Sequence, residues 1–257
     1  MSIFPHPSLM DVGFALVAAL ILVRCGRLGV FAAFVASATF QGHRVDFVVP
    51  ATNLAPNMPL YPVLFLPGYR LHSSFYEQYF EALADEGNFI VISYRLALPL
   101  HDLKELGFCA DLMRHIADIV PKSLQDRAEF VARWREFAVV GHSRGGKLAT
   151  LLALADPATR PKAIFLIDPV DSGRGDPPSS QFYPSALERL FETQELGRDV
   201  IPFAIAQGDH IGLCNPPGRN ADNFWDAAGL GSWRVILTGA GHAHFVDLPW
   251  WIRNLLR

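Results

Sequence analysis

The chain has 257 residues, of which 51% are hydrophobic and 18% charged, with a formal net charge of −3. That length accommodates one large α/β domain with a substantial buried core, and the weak acidic balance supplies no electrostatic basis for a nucleic-acid partner. Cys25, Cys109 and Cys214 share no close spacing, which argues against both a disulfide framework and a cysteine zinc site.

Residues 8–23 are nearly all apolar apart from Asp11; Arg24 and Arg27 follow, and a second apolar run extends to Phe40. Each run falls short of the ~20 residues that span a bilayer. Read as a targeting segment, Arg24 and Arg27 are the charged region, 28–35 the apolar core and Ala36-Ser37-Ala38 the small-residue cleavage site. The alternative is a buried helix leading into an N-terminal strand. Residues 1–40 are therefore set apart as a targeting, anchoring or packing segment, and 41–257 as a single domain.

From residue 41 the pattern alternates between strand and helix. Residues 43–50 alternate like an edge strand, and 61–68 form a continuous apolar strand ending in Pro-Gly. An amphipathic helix covers 74–87, with Ser74 at its N-cap and Gly87 just past its end. A buried strand at 88–95, a helix at 102–121, a strand at 136–141 and a helix at 145–156 follow. Strands at 162–168, 199–209 and 232–241 complete the series, with a short helix at 248–257. The Gly-, Pro- and Ser-rich start of 172–198 reads as an excursion over the sheet edge. Buried strands alternating with helices imply a mostly parallel sheet covered on both faces, an α/β fold.

Gly141-His142-Ser143-Arg144-Gly145 lies between an apolar strand and a helix. That context makes it a nucleophile elbow, the sharp turn that lifts a serine above the carboxyl edge of a sheet in the α/β-hydrolase fold. A glycine-rich phosphate loop has a different spacing, which this run lacks. The serine needs a base, and the base an orienting carboxylate, in the chain order Ser, acid, His. Of the histidines after Ser143, His242 follows the last strand after a glycine, whereas His210 and His244 read as surface or packing residues. A His242–His244 metal pair lacks neighbouring carboxylate or cysteine ligand spacing, so no metal is expected. For the acid, Asp168 ends one strand and Asp209 the next; spacing leaves the two open, with Asp171 less well placed. Two backbone N–H groups should hold the oxyanion: that of Arg144, directly after the nucleophile, and that of Tyr69, after the strand ending Leu66-Pro67-Gly68.

Residues 62–93, Gly-His-Ser-Arg-Gly-Gly-Lys (141–147), Ile-Phe-Leu-Ile-Asp-Pro-Val-Asp (164–171) and Gly-His-Ala-His-Phe-Val-Asp-Leu-Pro (241–249), in that order, resemble the chlorophyllase family. The resemblance implies a cofactor-independent serine esterase of the α/β-hydrolase fold, hydrolysing the phytyl ester of chlorophyll to chlorophyllide and phytol. It also implies that the acid is Asp168, the nucleophile Ser143 and the base His242. Leu-Pro-Gly-Tyr at 66–69 departs from the His-Gly-Tyr of plant members and matches cutinase-like polyester hydrolases, so a general lipase or polyester-type esterase is the alternative. A non-catalytic binder on the same fold is a third reading. The partner expected is a small apolar ester, with 96–100, Phe182 and Tyr183 as candidate walls of its site. The resemblance suggests a chloroplast or membrane-associated location, the membrane contact being made by the apolar N-terminus, with secretion as the alternative.

Overall fold

The structure is a computed structural model, and it describes residues 33–50, 60–87, 89–124, 134–155, 159–173, 179–198 and 200–248. The apolar runs before residue 33 and the expected helix at 248–257 lie outside the described residues, except Leu248.

Eight strands form one sheet: β1 (Ala33–Phe40), β2 (His43–Pro50), β3 (Tyr61–Leu66), β4 (Phe89–Arg95), β5 (Ala138–His142), β6 (Ala163–Ile167), β7 (Phe203–Gly208) and β8 (Trp233–Leu237). Their spatial order is β1-β2-β4-β3-β5-β6-β7-β8. The β1–β2 and β2–β4 pairs are antiparallel and every pair from β4 to β8 is parallel. The central strands carry Val, Ile, Leu and Phe at consecutive positions because both faces of the sheet are covered.

One face packs Phe108, Leu112 and Ile116 of α2 (Asp102–Ile119), Leu148 and Leu152 of α3 (Arg144–Leu154), and Leu190 of α4 (Ala186–Glu195). Phe224 of the short α5 (Ala221–Asp226) joins them. The other face is covered by α1 (Glu77–Gly87), through Tyr79, Phe80 and Leu83, together with Tyr76 and Phe245. This is the α/β-hydrolase arrangement, with helices on both faces.

Several elements differ from the sequence reading. Residues 33–40, set apart above with the N-terminal segment, are the outermost strand, and Ala36-Ser37-Ala38 lies in its middle, with Ser37 Oγ donating to Asp46 Oδ1 at 2.7 Å. Consequently 43–50 is an interior strand, buried from Val45 to Pro50, and the edge is β1. The helix expected from 74 begins at Glu77, preceded by the 3-10 turn Ser73–Phe75, because the Ser74 hydroxyl is engaged with His72 Nδ1 at 2.8 Å and caps no helix. Inside 172–198 the chain forms α4, which buries Ala186, Leu187 and Leu190 in the same layer as α3. It covers a face of the sheet instead of passing its edge.

Candidate active site

Strand register brings the site together. Leu66 pairs with Gly141 across β3–β5, and His142 with Ile167 across β5–β6. The chain segments starting at Pro67, Ser143 and Asp168 therefore leave adjacent strands at one carboxyl edge. The strand order reverses around β3, between β4 on one side and β5 on the other, and ligands of open α/β sheets bind beside such a reversal. A cavity of about 540 Å3 opens there, lined by Tyr69, Ser143, Arg144 and His242 among others.

Ser143 sits at φ 57° and ψ −125°, left-handed backbone that a non-glycine residue holds only where its surroundings force it. The forcing contacts are visible. Ser143 N–H donates to Ile167 O at 3.0 Å, and its carbonyl accepts from Gly146 N–H at 2.9 Å and Val170 N–H at 3.1 Å. Neighbouring backbone passes so close that a Cβ on Gly141 would lie 2.1 Å from Gly145 O, and one on Gly145 2.0 Å from Leu66 O. Both positions are restricted to glycine by space. The turn aims the hydroxyl into the cavity at the N-terminus of α3, where helix-end N–H groups favour negative charge.

His242 opens a one-turn 3-10 helix after β8. Its Nε2 lies 2.8 Å from Ser143 Oγ and its Nδ1 2.6 Å from Asp168 Oδ2. Asp168 is buried, with φ 40°, and its Oδ1 accepts from Gly208 N–H at 3.4 Å. Asp209 points elsewhere: its Oδ1 accepts from Gly239 N–H at 2.8 Å, which caps the loop that carries His242. Asp171 accepts from Ser185 Oγ and Ala186 N–H, both at 2.6 Å, at the start of α4. His244 Nδ1 accepts from Gly241 N–H at 3.0 Å, and His210 lies beside Asp209 at 3.5 Å.

Tyr69 and Arg144 face the same cavity as Ser143, and neither backbone amide is bonded to a backbone acceptor among the described residues. Pro99, Leu100 and Tyr183 contribute to the cavity wall as the sequence suggests, while Phe182 turns its ring edge to His101 at 5.1 Å. Leu71, Val170 and Val246, from the stretches quoted above, and Leu213, from outside them, add apolar lining.

Two polar side-chain clusters beside the site, one around His142 and one around the Arg144 guanidinium, were not singled out in the sequence. The His142 ring stacks on His242 with centroids 4.8 Å apart, and its Nδ1 lies 2.8 Å from the Tyr76 hydroxyl, which accepts from Gly68 N–H at 3.0 Å. The phenol therefore donates to Nδ1, leaving the ring proton on Nε2. Burial, followed by the neighbouring His242, pushes His142 well below the ordinary imidazole range, so it stays neutral. The Arg144 guanidinium donates to Asp102 Oδ1 at 2.8 Å and Glu105 Oε2 at 2.7 Å, and Lys147 Nζ lies 2.8 Å from Asp102 Oδ2. Among the described residues no group of three or more His, Cys, Asp and Glu gathers as a metal set, and no helix is long and apolar enough to cross a membrane.

The fold defines the class, an α/β hydrolase. The crystal structure of a candidate dienelactone hydrolase from Klebsiella pneumoniae shares it, with a TM-score of 0.56 over 82% of this chain and 88% of that one at 18% identity. Residues 46–249 match the family model described as Chlorophyllase. Chlorophyllase-2 of Arabidopsis thaliana is 30% identical over 227 residues, 78% of this chain and 69% of that protein. The Citrus unshiu protein described as Chlorophyllase-1, chloroplastic, is 28% identical, and the match spans 72% of this chain but only 55% of that protein. The chain belongs to the chlorophyllase family, and with this fold it is a carboxylic ester hydrolase.

Proposed function

We propose that the chain is a serine esterase acting through Ser143, His242 and Asp168 on a bulky apolar ester of the chlorophyll type. The observation carrying the reading is the continuous donor–acceptor line from Ser143 Oγ through His242 to Asp168, at 2.8 and 2.6 Å, on a strained elbow facing an open cavity. His242 Nε2 takes the Ser143 proton as Oγ bonds to the ester carbonyl carbon, and Asp168 stabilises the imidazolium. The N–H groups of Tyr69 and Arg144 stabilise the oxyanion. As the carbonyl re-forms, the C–O bond to the alcohol breaks and His242 returns the proton to the departing oxygen. Water then attacks the acyl-serine, losing its proton to His242; the acid is released and the Ser143 hydroxyl restored.

The chlorophyll ester follows from family membership, and the apolar lining suits an apolar substrate. A plastid location goes with that substrate, as the description of the Citrus relative says of that protein. Incubation with chlorophyll a and, separately, with p-nitrophenyl butyrate tests the reading. Release of chlorophyllide by the wild-type chain and not by Ser143→Ala is the expected result. Turnover of the short ester alone replaces the substrate with a simpler one, and undiminished activity in Ser143→Ala removes the mechanism.

A further inference from the structure

Asn215 is a buried residue with no place in the mechanism above. It lies in Cys214-Asn215-Pro216-Pro217, in the loop after β7. Its Nδ2 donates to Asp168 Oδ2 and to His210 O, both at 3.2 Å, and its Oδ1 accepts from Gly212 N–H at 2.7 Å. An ionised carboxylate and a carbonyl only accept, and a backbone N–H only donates, so these contacts demand one amide orientation. The side chain is fully committed: one end closes the loop on itself and the other grips the carboxylate that faces His242.

Asp168 needs such a partner. Its Oδ2 already receives His242 Nδ1, and Gly208 N–H reaches Oδ1 only at a long 3.4 Å. The partners of this carboxylate among the described residues, His242, Gly208 and Asn215, all come from outside its own strand. Asn215 is also next to Cys214, and both Cys214 and the exposed Leu213 line the cavity. The loop that contacts a substrate is thus registered to the acid through one amide.

We propose that Asn215 is a positioning residue that holds Asp168 Oδ2 in line with His242 Nδ1 and couples the 209–215 loop to that alignment. The inference rests on the roles proposed above for Asp168 and His242. Loss of the amide removes one donor from Oδ2, concentrates charge on the oxygen facing the imidazole, and so favours the imidazolium. The acid limb of the rate profile, which reports the free base, then moves to higher pH. A carboxylate at 215 adds like charge beside Asp168 and moves that limb further in the same direction.

The test compares Asn215→Leu, Asn215→Asp and Asp168→Asn with the wild type on p-nitrophenyl butyrate, from about pH 5 to pH 9. Expected for Asn215→Leu is a fall in kcat of about 10- to 100-fold with KM changed less than about twofold, as for a lost hydrogen bond to a charged group. The acid limb should move upward in the order wild type, Asn215→Leu, Asn215→Asp. A folded Asn215→Leu with lower thermal stability but an unmoved acid limb and unchanged kcat gives the residue a purely structural role and overturns the inference. Should Asn215→Leu fail to fold, Asn215→Ala, which also lacks the amide and adds no charge, decides by the same kcat and acid-limb readouts. Asp168→Asn separates the two levels: full activity there removes the triad reading itself, whereas its collapse beside unaffected position-215 variants removes only the Asn215 proposal.

Discussion

The carboxylate of Asp168 sits 2.6 Å from His242 Nδ1, whereas that of Asp209 is held by Gly239 N–H one loop away. Asp168→Asn is therefore expected to lower kcat on p-nitrophenyl butyrate by about 10⁴, the cost of losing the orienting acid. Asp209→Asn, which only loosens the cap of the His242 loop, should cost less than about tenfold; the reverse ranking would move the acid role to Asp209. Ser143 is legible without coordinates because its glycines and its strand-to-helix setting are local features. The acid is not, since both aspartates end apolar strands and the choice depends on where the chain runs after each strand. Asn215 and His142 leave no pattern either: each is defined by contacts 47 and 66 residues away in sequence, to Asp168 and Tyr76. Space makes a further demand at this scale. With a Cβ 2.0 Å from Leu66 O, Gly145→Ala must displace α3 from β3, and the expected outcome is insoluble or unfolded protein on expression.

Helix α3 is anchored to α2 by charge as well as by apolar packing. The buried carboxylates of Asp102 and Glu105 both depend on Arg144, so among the described residues Arg144→Met leaves Glu105 with only the Tyr94 hydroxyl and Asp102 with only Lys147. Breaking such a buried pair from one side costs about 3–5 kcal/mol, readable as a lower urea midpoint. The fraction still folded should retain esterase activity, because the proposed oxyanion donor at this position is the backbone N–H. On the far side of the sheet, Asp46 joins three elements, accepting from Ser37 of β1 at 2.7 Å, from Arg44 of β2 at 2.6 Å and from Ser73 of the turn before α1 at 2.6 Å. Burial pushes its carboxyl up, but these donors outweigh burial and hold it below the ordinary 3.8. A folded pKa below the unfolded one means that the unfolded chain takes the proton first. The contribution is thus complete above pH 3.8 and disappears as pH falls through the lower folded value. Asp46→Asn should be less stable than wild type at neutral pH, and the gap in urea midpoint should narrow in acid; a gap that widens contradicts the assignment. Periodicity revealed nearly all the central strands and major helices, because apolar runs bounded by glycine and proline are local. It failed at β1, at α4, which lies behind the Gly-, Pro- and Ser-rich start of 172–198, and at α5. The small residues of β1 and the six-residue length of α5 give neither a period long enough to recognise.

At the scale of the molecule, the sheet has one parallel body, from β4 to β8, and an antiparallel margin, β1 and β2, on the side away from His242. The parallel body carries the proposed catalytic groups, while the margin carries none of them, so its contribution must be to the sheet itself. β2 is buried along six of its eight residues because β1 pairs with it over its whole length, from Ala33 opposite Pro50 to Phe40 opposite His43. Removing residues 1–40 would turn that largely apolar strand into an open edge, with unpaired N–H and C=O groups and only Arg44, Asp46 and the terminal Pro50 to blunt it. Asp46 would lose Ser37 at the same time. A chain starting at residue 41 should therefore unfold about 5 °C or more below the full chain, and light scattering should find it associating through the exposed strand. Its residual soluble fraction should still hydrolyse p-nitrophenyl butyrate, because Ser143, Asp168 and His242 hang from strands that keep both neighbours or lie at the opposite edge. Equal thermal midpoints for the two chains would mean that β1 adds nothing to the sheet. Loss of activity without loss of stability would mean instead that the margin reaches the catalytic edge by a route other than the strand register.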